Sequence, residues 1–284
     1  MVAVCGKRPG LVRAIVQCDR VLVIARVSMK YAPTFINARQ VCLEQLVVFP
    51  DGRPSFFAIL VSRVHELWFV FFASTFGSAD APRYSPSDCF ETFPFPNNWE
   101  TDATLEAAGD AYYSYRAQLL INNNQGLTTT YNRFHDPQET EPALLHLRDL
   151  HSQMDQAVLT AYGWHDIDTT CEFILDYEEE EDTTSKRKKP YRYRWPQATH
   201  DEVLARLLDL NQKRYEQEII GGTSKGGKKK REERKKKAIR SNTSKISIPQ
   251  ADKQIELIPE AILQRRGYAN EQLDVWSTIE PSET

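Results

Sequence analysis

Arg83 to Pro96 reads RYSPSDCFETFPFP, and how this stretch is read decides the fold. Each proline disfavours the helical region for the residue before it, so Phe93 and Phe95 are expected on an extended backbone. Side chains two apart on an extended chain share a face, so both rings are offered to one neighbouring layer. The polar cluster Ser85, Ser87 and Asp88 precedes them, and helical patterns lie on both sides. The stretch is expected to be a strap between two structural layers. The plain alternative is a connector between domains.

Upstream, Arg20 to Ser28 (RVLVIARVS) is rich in Val and Ile and reads as a strand buried on both faces. Met29 to Arg39 reads as a loop, basic and aromatic through Lys30 and Tyr31. Leu43 to Phe49 is a second strand, stopped by Pro50-Asp51-Gly52. Ser55 to Ser74 reads as one long helix, apolar nearly all round, with Arg63, His65 and Glu66 as its polar edge. A helix this apolar must be buried against something large. A zinc-binding helix would need a second histidine four residues after His65; position 69 is Phe, so His65 is a structural residue.

Downstream, Thr101 or Asp102 caps a helix whose stripe is Leu105, Ala108, Tyr112, Tyr115 and Leu119; Asn122 to Asn124 and Gly126 end it. Gly126 to Pro137 (GLTTTYNRFHDP) reads as too irregular for a helix. Thr128, Tyr131, Asn132 and Arg133 there are groups that donate to phosphates and base edges; the plain alternative is a loop that caps its neighbours. Pro142 to Tyr162 is a helix on the stripe Leu144, Leu147, Leu150, Met154, Val158 and Leu159, stopped by Gly163, with His146 and His151 at its surface or boundary. The acidic run 176–182 (DYEEEED) is read as a solvated loop. It is followed by KRKK (186–189), then by YRYRW (191–195). Alternation in the last puts Arg192 and Arg194 on one face and Tyr191, Tyr193 and Trp195 on the other, either a phosphate-facing strand or an edge strand with a solvated charged face. Thr199 to Ile219 is a helix burying Val203, Leu204, Leu207, Leu208 and Leu210. Residues 221–240 hold ten Lys plus Arg against two Glu, a local charge of +8, with no apolar face to fold on.

The bulk numbers constrain less. A chain of 284 residues that is 41% hydrophobic can bury a sizeable core, and its net charge of −3 hides the segregation just described. Five cysteines without a CxxC pair argue against a disulfide framework and a zinc site, and fit a reducing cytoplasm. The N-terminus lacks a signal-peptide layout, and the apolar run near 56–73 is interrupted by Arg63, His65 and Glu66, so no membrane span is expected.

RYSPSDCFETFPFP resembles a segment near the C-terminus of large bacterial DNA methyltransferases, the fused (type IIG) restriction-modification enzymes and the BREX-like adenine-N6 methyltransferases of phage defence. NNNQGLTTTYNRFHDP (122–137), LHSQMDQAVLTAYGW (150–164) and YRYRWPQATHDEVLARLLDLNQKRYEQE (191–218) are similar too, and in the same order. The resemblance implies an α+β chain with three parts: a target-recognition-like domain of strands and one helix at 1–97, a helical domain at 98–220, and a basic tail, largely disordered, at 221–284. It implies a DNA-recognition role, with Lys30, Arg83, Tyr84, Ser85, Thr128, Tyr131, Asn132, Arg133, Lys189, Arg192 and Arg194 as candidate DNA contacts. Double-stranded DNA is the expected partner, together with a separate methyltransferase or defence-system chain. The family binds S-adenosylmethionine at a Gly-rich turn and holds adenine in an Asn-Pro-Pro-Tyr type loop. This sequence has no Asn-Pro-Pro, and its paired glycines lie in the lysine-rich tail. No catalytic residue, metal or cofactor is expected in the chain, which alone should be inactive; the cofactor belongs on a missing catalytic domain. The rival reading is a protein-interaction subunit whose tail binds an acidic partner.

Overall fold

The computed structural model describes residues 9–76, 81–175 and 191–220. The acidic run, Lys186 to Lys189 and the tail from residue 221 lie outside them. The fold is α+β: small antiparallel sheets beside a larger helical body.

A short helix α1 (Pro9–Ile15) leads into β1 (Arg20–Ala25), the centre of a three-stranded antiparallel sheet in the order β2 (Thr34–Asn37), β1, β3 (Leu46–Phe49). The apolar run in β1 is buried on both faces, as its composition implies. Leu22 and Ile24 join the main core, while Val21 and Val23 face a small second cluster that includes Ala38, with Ile15 and Cys18 against it. The loop expected at Met29 to Arg39 contains β2, a strand of four residues paired with β1. Its signal is too short for periodicity to register, and the pairing makes it a strand.

The helix expected over Ser55 to Ser74 is two, α2 (Pro54–Val61) and α3 (Arg63–Phe72), bent by 55° at Ser62. Ser62 takes an extended backbone, φ −60° and ψ 155°, and serves as the N-cap of α3 while its hydroxyl donates to the Ile59 carbonyl at 2.7 Å. No single helix among the described residues is long and apolar enough to cross a membrane. Instead α2 is buried throughout after Pro54, chiefly against α4 (Ala103–Asn122) and the strap. Asp102 caps α4, accepting from Thr104 N at 2.8 Å and Leu105 N at 3.1 Å. Gly109 lets the two helices touch: a Cβ there would fall against the Pro54 carbonyl.

A hairpin of β4 (Ser74–Phe76) and β5 (Ala81–Arg83) leads into the strap. Pro86–Phe90 forms one wide helical turn, after which the chain runs to Asn97. Phe93 is 5% exposed and Phe95 partly buried, and their rings meet edge to face at 5.0 Å. The strap lies between layers as expected: His65 and Trp68 of α3 contact Phe93, and Phe56 of α2 stacks on Phe95. From the other side its main chain is gripped by the Tyr162 hydroxyl on Pro94 O at 2.9 Å and by Arg214 on Phe95 O at 2.6 Å.

The block Gly126 to Pro137 is not irregular. It holds α5 (Leu127–Phe134), whose Thr130, Tyr131 and Phe134 are buried. Next comes α6 (Pro142–Tyr162), closed by Gly163 at φ +79°, where a left-handed backbone favours glycine. The hairpin β6 (Glu172–Leu175), β7 (Tyr191–Arg194) and the final helix α7 (Gln197–Ile220) complete the body. A single apolar core runs from Leu22 to Leu207, through both segments expected as separate domains.

Candidate functional site

Where α3, the 28–31 turn and β7 meet, they enclose a cleft of about 170 Å³, lined in part by Met29, Glu66, Phe69, Arg192, Arg194 and Trp195. The turn is held by Ser28, whose hydroxyl donates to Lys30 O and accepts from Lys30 N. Arg192 fastens β7 to it by donating from Nη2 to Met29 O at 2.7 Å. The two-faced alternation read from YRYRW is not kept: all four residues of β7 are partly buried, and Arg192, Tyr193, Arg194 and Trp195 line the same cleft, with Trp195 2% exposed and the Tyr193 ring against Phe134 and Phe173.

Beneath the cleft lies a buried ion pair. Arg63, 5% exposed, donates from Nη1 to Asp155 Oδ2 at 2.5 Å and from Nη2 to the Tyr193 carbonyl at 3.3 Å. His151 Nδ1 lies 2.8 Å from Arg63 Nη1 and 3.3 Å from Asp155 Oδ2. Burial pushes the Asp155 carboxyl up, but His151 and Arg63 together hold it below the usual carboxylate range. His151 is therefore a core residue, not a surface one. Burial lowers the pKa of His65 to about 3, so it is neutral; its Nδ1 is 2.6 Å from the Tyr31 hydroxyl and its Nε2 is 3.2 Å from that of Tyr84. Among the described residues no group of His, Cys, Asp and Glu is placed to hold a metal ion, and Cys18, Cys42 and Cys171 are free thiols.

The candidate contacts scatter around this geometry. Arg192 and Arg194 line the cleft, and Lys30 sits in the turn at its edge. Arg83 is exposed on β5, bridged to Val27 beside the cleft-lining Pro82, and Ser85 follows with its hydroxyl 3.1 Å from that of Ser87. Two candidates need correcting. Tyr84, 1% exposed, stacks on His65, and Tyr131, 4% exposed, accepts from the buried Arg116 at 2.9 Å; both hydroxyls serve the core, leaving no surface for a partner. Thr128 and Asn132 are exposed on the outer side of α5. Arg133 is committed to Glu139 and Glu141, which raise its pKa by hydrogen bonding. Lys189 lies outside the described residues.

Sequence reasoning does not bring His135, one of the polar residues of 126–137, together with Trp195 at one cleft. His135 Nδ1 accepts the backbone N–H of Tyr193 at 3.1 Å, a contact across 58 residues that no local pattern announces.

Residues 6–97 match the family model of the MmeI target recognition domain. No curated protein matches the chain. A solved structure of the Type IIL restriction-modification enzyme MmeI in complex with DNA is similar at 21% identity and a TM-score of 0.46, covering 69% of this chain. The chain spans 21% of that enzyme's length.

Proposed function

We propose, from the premise that residues 6–97 form a target recognition domain of the MmeI kind, that this chain is the DNA-recognition part of a site-specific adenine-N6 methyltransferase of a restriction-modification or phage-defence system. The family match over 6–97 is the observation that carries the reading. The basic groups that converge beside it, Lys30, Arg192 and Arg194, support it. In such a protein, contacts to phosphates fix register and contacts to base edges specify sequence. Methylation needs the adenine extruded into a catalytic pocket, and neither that pocket nor S-adenosylmethionine binding is assigned to this chain.

Selection of bound duplexes from a random-sequence pool tests the proposal, with affinities of selected and random duplexes compared at two salt concentrations. Enrichment of a defined sequence that outcompetes random duplex at both is the expected result. Binding of equal strength to every duplex would leave a basic protein without recognition, and no binding to any would favour the protein-interaction reading. Calorimetric titration with S-adenosylmethionine should show no heat of binding; micromolar affinity would place the cofactor site here.

A further inference from the structure

Residues 28–33, in the connection from β1 to β2, form a turn fastened at three of its carbonyls. The Ser28 hydroxyl holds both the N–H and the carbonyl of Lys30. The other two grips come from far along the chain. Arg192 Nη2 donates to Met29 O at 2.7 Å, and Arg116 Nη2 donates to Pro33 O at 2.8 Å. The Tyr31 ring faces the core, stacked on Phe69, with its hydroxyl on Leu60 O and His65 Nδ1. What the turn shows outward is therefore side chain: Met29 is 38% exposed, and Lys30 beside it is partly so.

Arg116 is a costly residue to use for such a grip. It is 1% exposed, and no carboxylate among the described residues lies within ion-pair reach of it. Its charge is met by the Tyr131 hydroxyl at 2.9 Å and by the faces of Phe57 and Tyr112. Apolar side chains of similar volume often fill the place of a buried ion with no loss of stability. The hydroxyls of Tyr112 and Tyr131 lie 3.0 Å apart and bond to each other, so they do not depend on Arg116. What the guanidinium adds beyond packing is the donor at Pro33 O.

A methionine at the surface offers nothing to a phosphate, whereas the thymine methyl group is an apolar feature of the major groove. We infer that the 28–33 turn reads base edges, with Met29 against a thymine methyl group, and that Arg116 and Arg192 are positioning residues acting through the carbonyls of Pro33 and Met29. This rests on the DNA-recognition reading and assigns its reading element. A turn ordered before it binds loses less freedom on binding, and a base contact tolerates little misplacement.

The readout is a ratio: the affinity of the full chain for the duplex that the parent selects, over its affinity for random duplex. Partial unfolding lowers both affinities by one factor and leaves the ratio alone, so a merely structural residue does not move it. Met29→Ala, Arg192→Gln and Arg116→Met should each lower the ratio about fourfold, the size of one buried methyl group. In the double variant of Arg192→Gln with Met29→Ala the losses should not add, because one residue acts through the other. Uracil placed for each thymine of the selected duplex in turn should find one position that weakens the parent and not Met29→Ala. Should Arg116→Met fail to fold, the other two variants decide. A salt slope flattened by about 0.9 in Arg192→Gln, with the ratio kept, would make that arginine a phosphate contact and overturn its positioning role. Any folded variant that keeps the parent's ratio, or a uracil series with no such position, overturns the inference and leaves the recognition reading standing. A parent that selects no sequence overturns both.

Discussion

Asp155 on α6 accepts the backbone N–H of Arg63 at 2.9 Å with one carboxylate oxygen and its guanidinium at 2.5 Å with the other. One fully buried carboxylate thus serves the freed N–H at the Ser62 break and neutralises the charge that Arg63 carries inward there. Removing one partner of a buried pair leaves the other uncompensated. Asp155→Ala should therefore cost about 3–5 kcal/mol in urea unfolding. Asp155→Asn, which keeps an acceptor for Arg63 N but loses the charge, should cost less. Equal midpoints for the two variants would mean that the lost charge carries the whole cost and the hydrogen bond to Arg63 N contributes nothing.

Stability should fall as the solution is acidified, well before carboxylates titrate. His65 is held neutral down to about pH 3, whereas an unfolded histidine takes a proton near 6.5. Between those values the unfolded chain binds the extra proton, so acid favours unfolding; the contribution is whole above 6.5 and lost progressively toward 3. The slope for one such group is about 1.4 kcal/mol per pH unit. Burial shifts His135 the same way and adds to it. Urea midpoints measured across this window should shift less with pH in His65→Gln than in the parent.

The two rings of the strap should differ. Phe93 is 5% exposed against His65 and Trp68, so Phe93→Ala should cost about 3–5 kcal/mol. Phe95 is only partly buried, and Phe95→Ala should cost less, about 2 kcal/mol. Thermal melting that leaves either variant level with the parent would return the strap to a mere connector.

Gly109→Ala reverses the usual expectation. Alanine in place of glycine within a helix is ordinarily favourable by about 1 kcal/mol. Here the new Cβ would lie 2.8 Å from the Pro54 carbonyl carbon and 3.2 Å from Ala58 Cβ, so α4 and α2 must separate. A loss of about 1–3 kcal/mol is expected, and a rise in Tm would show that the two helices part freely.

The lysine-rich segment after Ile220 is expected to add attraction without preference. Deleting it should weaken binding to all duplexes alike. It should also flatten the plot of log affinity against log salt, by roughly 0.9 for each phosphate that the segment neutralises. An unchanged slope would show that those lysines never meet DNA.

What was legible in the sequence was what is local. Asp102 and Gly163 mark their helix ends because capping needs only a few neighbouring residues, and the stripe Leu144, Leu147, Met154 and Val158 marks its face. The break at Ser62 is illegible because the carboxylate that takes up the freed N–H of Arg63 lies 92 residues away. The run LTTTYNRF looks irregular, with three threonines behind a glycine. It is helical because Tyr131 and Phe134 join a core to which α6 also contributes. For the same reason Tyr84 and Tyr131, polar enough on paper for a contact surface, are drawn inward by partners distant in sequence, His65 and Arg116. Of the cleft, the strand YRYR is readable, but not the turn at Met29 that it closes over.

The grips on the strap fall on carbonyls: Pro94 O, Phe95 O and Thr92 O are held by Tyr162, Arg214 and Asn211. Every residue carries a carbonyl, so these three grips follow the path of the chain, and Arg214 adds one side-chain contact, to Asn97 Oδ1 at 2.9 Å. Side chains at Thr92, Pro94 and Phe95 can change while these main-chain grips keep their geometry. The side chains that cannot drift freely are those of Tyr162, Arg214 and Asn211, which reach across the seam from the helical side.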